Sequence, residues 1–136
     1  MKSIFFYGLF MDESILKEKG FHPTSPVLAY IDGYCLRIGE RATLIKSTGQ
    51  RAFGAIMDLS EEELNRLYSD PSVVDYIPEQ VIAHKIEGGA KNVLSYNLPK
   101  EKLVGKNKDY AISLSEVAKK IGLPQSYINE VDSWSK

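Results

Sequence analysis

Hydrophobic and polar positions along the chain alternate between two periods. Ile4-Phe5-Phe6-Tyr7 is a short apolar, aromatic run that stops at Gly8, the pattern of a buried strand. Asp12 is placed to cap a short helix from Glu13 to Lys19, with Gly20 just beyond its end. Val27 to Ile31 and Tyr34 to Ile38 read as two strands separated by Asp32-Gly33. Ala42 to Ile45 and Phe53 to Met57 flank the polar turn Lys46 to Gln50, a hairpin pattern. Ser60 followed by Glu63 is a capping box, opening a helix through Leu64 and Leu67 that is expected to end near Asp70-Pro71. Val81 to Ile86 and Val93 to Tyr96 flank Glu87-Gly88-Gly89, a second hairpin. Pro99 to Lys108 is lysine-rich and reads as an exposed connection. Leu114, Val117, Ala118 and Ile121 share one helical face, and Gly122 sits where a left-handed residue ends a helix. Pro124 is expected as the first residue of a last helix through about Ser133. About six strands, paired mostly through hairpins, with a helix after the first, one mid-chain and two at the end, form an α+β layout.

Composition narrows the functional classes. A chain of 136 residues is one domain, 1–136, with room for a sizeable core. Seventeen Lys+Arg against eighteen Asp+Glu leave a net charge of −1, so no basic excess marks a nucleic-acid surface. No apolar run approaches the roughly 20 residues that span a bilayer, and the N-terminal run is too short for a signal peptide. A lone Cys35 excludes an internal disulfide, and with His22 and His84 it is too little for a structural zinc site. The expectation is a cytoplasmic protein that binds neither nucleic acid nor membrane and holds no metal. The sequence carries no signal for oligomeric state.

Familiar catalytic motifs such as GxGxxG, GxxxxGK[ST] and GxSxG are absent. Cys35 lies among apolar neighbours and reads as a buried thiol, and His84 alternates with apolar residues in a strand. Two segments carry candidate chemistry. In Tyr7-Gly8-Leu9-Phe10 a strand ends at a glycine and runs toward a helix, which gathers backbone N–H groups where a ligand can approach closely. Between Leu67 and Glu79 three carboxylates and two tyrosines occupy a short irregular segment. There a carboxylate held against apolar side chains is suited to general acid/base work.

In order, Tyr7-Gly8, Ala42-Thr43-Leu44, Gly49 with Gly54, a Leu67-acidic loop and Tyr76 resemble the γ-glutamylcyclotransferase-like superfamily (AIG2-like, BtrG-like). Gly122-Leu123-Pro124 with Tyr127-Ile128 is similar to the "G-L-P-x-x-Y-I" ending of its members. The resemblance runs from Ile4 to Val131. It implies a small, mostly antiparallel β-barrel with flanking helices and a cavity at one end. It also implies cofactor-free release of 5-oxoproline from a small γ-glutamyl amine or peptide. In that chemistry the substrate's α-amine attacks its own γ-carbonyl, and one carboxylate moves the proton to the departing amine. Carried over by position, Tyr7, Gly8, Leu9, Phe10 and Tyr76 are the expected substrate-binding residues. Asp70 is the expected catalytic acid/base, with Glu79 as the alternative acid. A non-catalytic member binding a small amino-acid-like ligand is the other reading. The chain departs from the family at Leu9, where "Y-G-[ST]-L" has a hydroxyl. It also departs at Pro71, which stands at the Glu of "L-D-x-x-E-G", leaving Asp70 one residue early and one methylene short.

Overall fold

The computed structural model describes residues 1–136. Five strands close into a barrel in the order β1-β3-β2-β4-β5. These are β1 (Lys2–Phe6), β2 (Val27–Ile38), β3 (Ala42–Leu59), β4 (Ile77–Lys85) and β5 (Ala90–Asn97). Neighbours pair antiparallel except at the closing seam, where β1 meets β5 in parallel at Ile4–Leu94. Four helices flank the barrel: α1 (Glu13–Glu18), α2 (Glu61–Leu67), α3 (Lys108–Ile121) and α4 (Gln125–Ser133). The α+β class and the barrel expected from the sequence are both present.

Strand number is corrected from about six to five. Asp32-Gly33 does not break a strand: Gly33 adopts φ +82° at a register shift, and β2 runs on through it. The expected hairpin between Ala42–Ile45 and Phe53–Met57 does not form. Both segments belong to β3 and pair with β2, Leu44 with Leu36 and Phe53 with Tyr30. Residues 47–50, with Gly49 at φ +83°, stand opposite Gly33 alone and bulge from the ladder. The true hairpin turn is Gly39-Glu40-Arg41, between β2 and β3. The turn at Gly88-Gly89 joins β4 to β5 as expected, both glycines having positive φ.

Local end signals are satisfied. Ser60 and Glu63 complete their capping box, Asn107 caps α3 through Tyr110 N–H, and Gly122 ends α3 at φ +88°. α2 stops at Leu67, three residues short of Asp70, and Pro124 is the N-cap of α4 rather than its first helical residue. The core joins the barrel interior to α3 and α4 and buries Phe5, Met57, Leu114, Tyr127 and Val131, with Cys35 buried and Trp134 packed partly buried against it. No helix is long and apolar enough to cross a membrane.

One buried charge ties this frame to the end of β1. Asp12 caps α1 by accepting from Ser14 N–H at 3.0 Å, and its other oxygen meets Lys120 Nζ of α3 at 2.9 Å. Burial pushes its carboxyl up, but the bonds from Lys120 and Ser14 outweigh this and hold it below the ordinary range. Its contribution is therefore complete above the unfolded carboxyl pKa of about 3.9 and is lost as pH falls through the lower folded value. Asp12→Ala is expected to cost about 1–2 kcal/mol in denaturant titrations at pH 7 and much less near pH 2. An equal cost at both pH values would remove the ionic part of this account.

Candidate functional site

The chain leaves β1 through Tyr7 and Gly8 into a single 3-10 turn, Leu9–Met11. This loop lines a cavity of about 230 Å³ at that end of the barrel. Tyr7, Gly8, Leu9, Phe10 and Tyr76 all face it, so the sequence-predicted binding residues are brought together. Tyr7 Oη donates to Tyr96 O at 2.8 Å and Tyr76 Oη to Ala42 O at 2.5 Å, bonds that fix two walls. Tyr68 and Tyr96 stack with centroids 3.8 Å apart, and Phe6 meets Phe10 edge-on.

Tyr110 reaches in from the first turn of α3. A Cβ built on Gly8 would lie 2.6 Å from Tyr110 Oη, so the space beside the Gly8 backbone is filled by that hydroxyl. Burial raises Tyr7, Tyr68 and Tyr110 well above the ordinary phenol pKa; the Leu9 backbone N–H facing the Tyr110 oxygen opposes the rise. Tyr76 is pushed up to about 12 by burial, against the pull of Arg41. These tyrosines are neutral hydroxyls at physiological pH. They do not act as bases, and the hydroxyls of Tyr7 and Tyr76 donate to backbone carbonyls.

The solvent side of the cavity is formed by Glu40 and Arg41 of the β2–β3 turn and by Ser72 and Val73. Arg41 reaches Asp75 at 3.5 Å and Ser72 O at 3.4 Å, while Lys102 holds the other Asp75 oxygen at 3.2 Å. Glu40 is the only carboxylate lining the cavity and Arg41 the only cation.

The predicted acids lie elsewhere. Asp70 is exposed and does not line the cavity. Its carboxylate accepts from Ser72 N–H at 2.9 Å and Ser72 Oγ at 2.7 Å, bonds that hold it below the usual range. Its neighbours Tyr68, Ser72 and Val73 do line the cavity. Glu79 is partly buried in a polar chain apart from the cavity, accepting from the Tyr34 hydroxyl and from Asn97 Nδ2 at 3.3 Å. Asn97 in turn accepts from Ser95 Oγ. His84 stacks on Tyr30, and no group of three or more His, Cys, Asp or Glu side chains is placed to hold a metal ion.

Sequence reasoning included Tyr68 in the Leu67–Glu79 segment without assigning it a role, and missed Tyr96, Tyr110, Glu40 and Arg41. A signal existed for Tyr110, which lies one turn before Leu114 and so extends the apolar stripe of α3. Glu40 and Arg41 sit in a turn that only the correct β2–β3 pairing reveals.

The five-strand barrel flanked by helices has counterparts among solved structures. A γ-glutamyl cyclotransferase superposes with a TM-score of 0.80 at 18% identity, over 98% of this chain and 87% of that one. This is the γ-glutamylcyclotransferase-like fold. The uncharacterized Homo sapiens protein loc79017 shares it with a TM-score of 0.82 at 20% identity, over 98% and 87% of the two chains. YkqA of Bacillus subtilis does so with a TM-score of 0.79 at 20% identity, over 98% of this chain but 54% of that one. An AIG2-like protein of Mus musculus matches more loosely, with a TM-score of 0.58 at 18% identity, over 73% and 78%. No family model and no curated protein matches the sequence. Within the γ-glutamylcyclotransferase-like fold, the cavity mouth of this chain is set by its own β2–β3 turn.

Proposed function

We propose that the cavity binds a small γ-glutamyl compound and promotes its cyclisation to 5-oxoproline with release of the amine. The observation that carries this reading is the convergence of Tyr7, Gly8, Leu9, Phe10 and Tyr76 on one small cavity, in a fold shared with a γ-glutamyl cyclotransferase. About 230 Å³ suits a small metabolite rather than a polymer. The reaction is intramolecular, so holding the folded conformer against neutral hydroxyls supplies much of the acceleration, with no cofactor required.

A second reading, ligand binding without turnover, is favoured by one observation: the Asp70 carboxylate is committed to Ser72 on an exposed loop. Incubation with a panel of γ-glutamyl amines and dipeptides separates the two. Cyclisation is expected to yield 5-oxoproline and free amine in equal amounts. Saturable binding with no product from any member would overturn cyclisation in favour of the second reading.

A further inference from the structure

The cyclisation needs a proton acceptor beside the attacking amine, and the cavity wall offers one. Glu40 is its sole carboxylate, since Asp70 and Glu79 lie outside it. Glu40 enters no ion pair, whereas its neighbour Arg41 is engaged by Asp75.

The position is also firmly built. Glu40 N–H donates to Val104 O at 2.7 Å, and Glu40 O accepts from Asn107 Nδ2 at 3.2 Å. Two glycines let these segments close on each other. A Cβ on Gly39 would fall 2.5 Å from Val104 O. Gly105, at φ +73°, lies so near that its Cβ would fall 2.7 Å from Glu40 Cγ. The backbone of Glu40 is thus pinned between the barrel and the approach to α3, and its side chain lies over Gly105 at the cavity wall with its carboxylate in no ion pair.

We propose that Glu40 is the catalytic carboxylate, an inference that rests on the cyclisation reading. As the α-amine nitrogen bonds to the γ-carbon, the proton it sheds passes to Glu40. The bond from the γ-carbon to the departing nitrogen then breaks. That nitrogen keeps the electron pair and takes the proton from Glu40, which returns to its ionised form. The products are 5-oxoproline and the free amine.

The test is 5-oxoproline release by the wild type, Glu40→Gln, Glu40→Ala and Asp70→Asn, with melting curves for each. Glu40→Gln is expected to lower kcat by about a hundredfold or more, with KM within roughly threefold of the wild type. Because Glu40 is exposed, the melting temperature is expected to hold. Added formate is expected to restore part of the activity of Glu40→Ala, which a merely structural role would not allow. Asp70→Asn is expected to stay within about threefold of the wild type, as for a group outside the cavity. An active wild type with equally active Glu40→Gln overturns the proposal and leaves the cyclisation reading standing. An active wild type with loss confined to Asp70→Asn does the same. A wild type inactive on the whole panel overturns both.

Discussion

Gly54→Ala is expected to destabilise the protein by about 3 kcal/mol or more, lowering its melting temperature by roughly 10 °C. Gly54 lies in β3, one residue before the partner of Phe6 in the β1–β3 ladder. A Cβ there would sit 2.2 Å from Phe6 O and 3.0 Å from Phe5 Cζ. The first obstacle is backbone, so no rotamer change relieves it: β1 itself must move. β1 has little freedom to do so, because its other edge is the closing seam with β5 and Ile4 and Phe5 are fully buried. Its next residues are Tyr7 and Gly8, so the same displacement carries the cavity wall with it. Ligand binding is therefore expected to fall at temperatures where the variant is still folded. Denaturant melts within about 0.5 kcal/mol of the wild type would contradict this packing.

Gly8→Ala is expected to cost about 1–3 kcal/mol and, on the proposed function, to weaken binding of a γ-glutamyl compound about tenfold or more. Gly8 has φ −98° and ψ −157°, an extended conformation open to any residue, so its backbone does not demand glycine. The demand comes from Tyr110, whose hydroxyl would stand 2.6 Å from the added methyl. The clash can be assigned with a double-mutant cycle, since Tyr110→Phe removes that oxygen. Alanine at residue 8 is then expected to cost less than about 0.5 kcal/mol when residue 110 is phenylalanine. If the two costs simply add, the contact with Tyr110 is not what excludes a side chain at residue 8.

These two glycines show where the sequence was legible and where it was not. Signals confined to a few consecutive residues were readable: Ser60 with Glu63, Gly88-Gly89 between two strands, Gly122 closing α3, Asp12 opening α1. Each fixes local hydrogen bonds or a local φ whatever the rest of the chain does. The long strands were not readable, because what makes β3 continuous is its pairing with β2. Seen alone, Lys46 to Gln50 has the composition of a turn. Only opposite Gly33 does it become a bulge.

The site divides in the same way. The loop Tyr7 to Phe10 was visible because it is one contiguous segment ending a strand. Glu40, Tyr68, Tyr96 and Tyr110 come from four other parts of the chain, and only barrel closure places them together. Asp70 was singled out by the order of residues in its segment. Its side-chain direction depends on Ser72, which offers both a backbone N–H and a hydroxyl two residues away and draws the carboxylate into a local turn.

Closure of the barrel by its first and last strands bears on how the molecule is made. On the ribosome, β1 can find β3 once residue 59 has emerged, but its second edge stays bare until Leu94 follows. At about 5–20 residues per second that interval lasts roughly a few seconds, during which Ile4 and Phe5 sit on an open sheet edge. The nascent chain has its best opportunity to mispair in that window. Tyr96 and Tyr110 emerge later still, so no ligand can steady the unfinished sheet, and the pocket is among the last parts of the molecule to form.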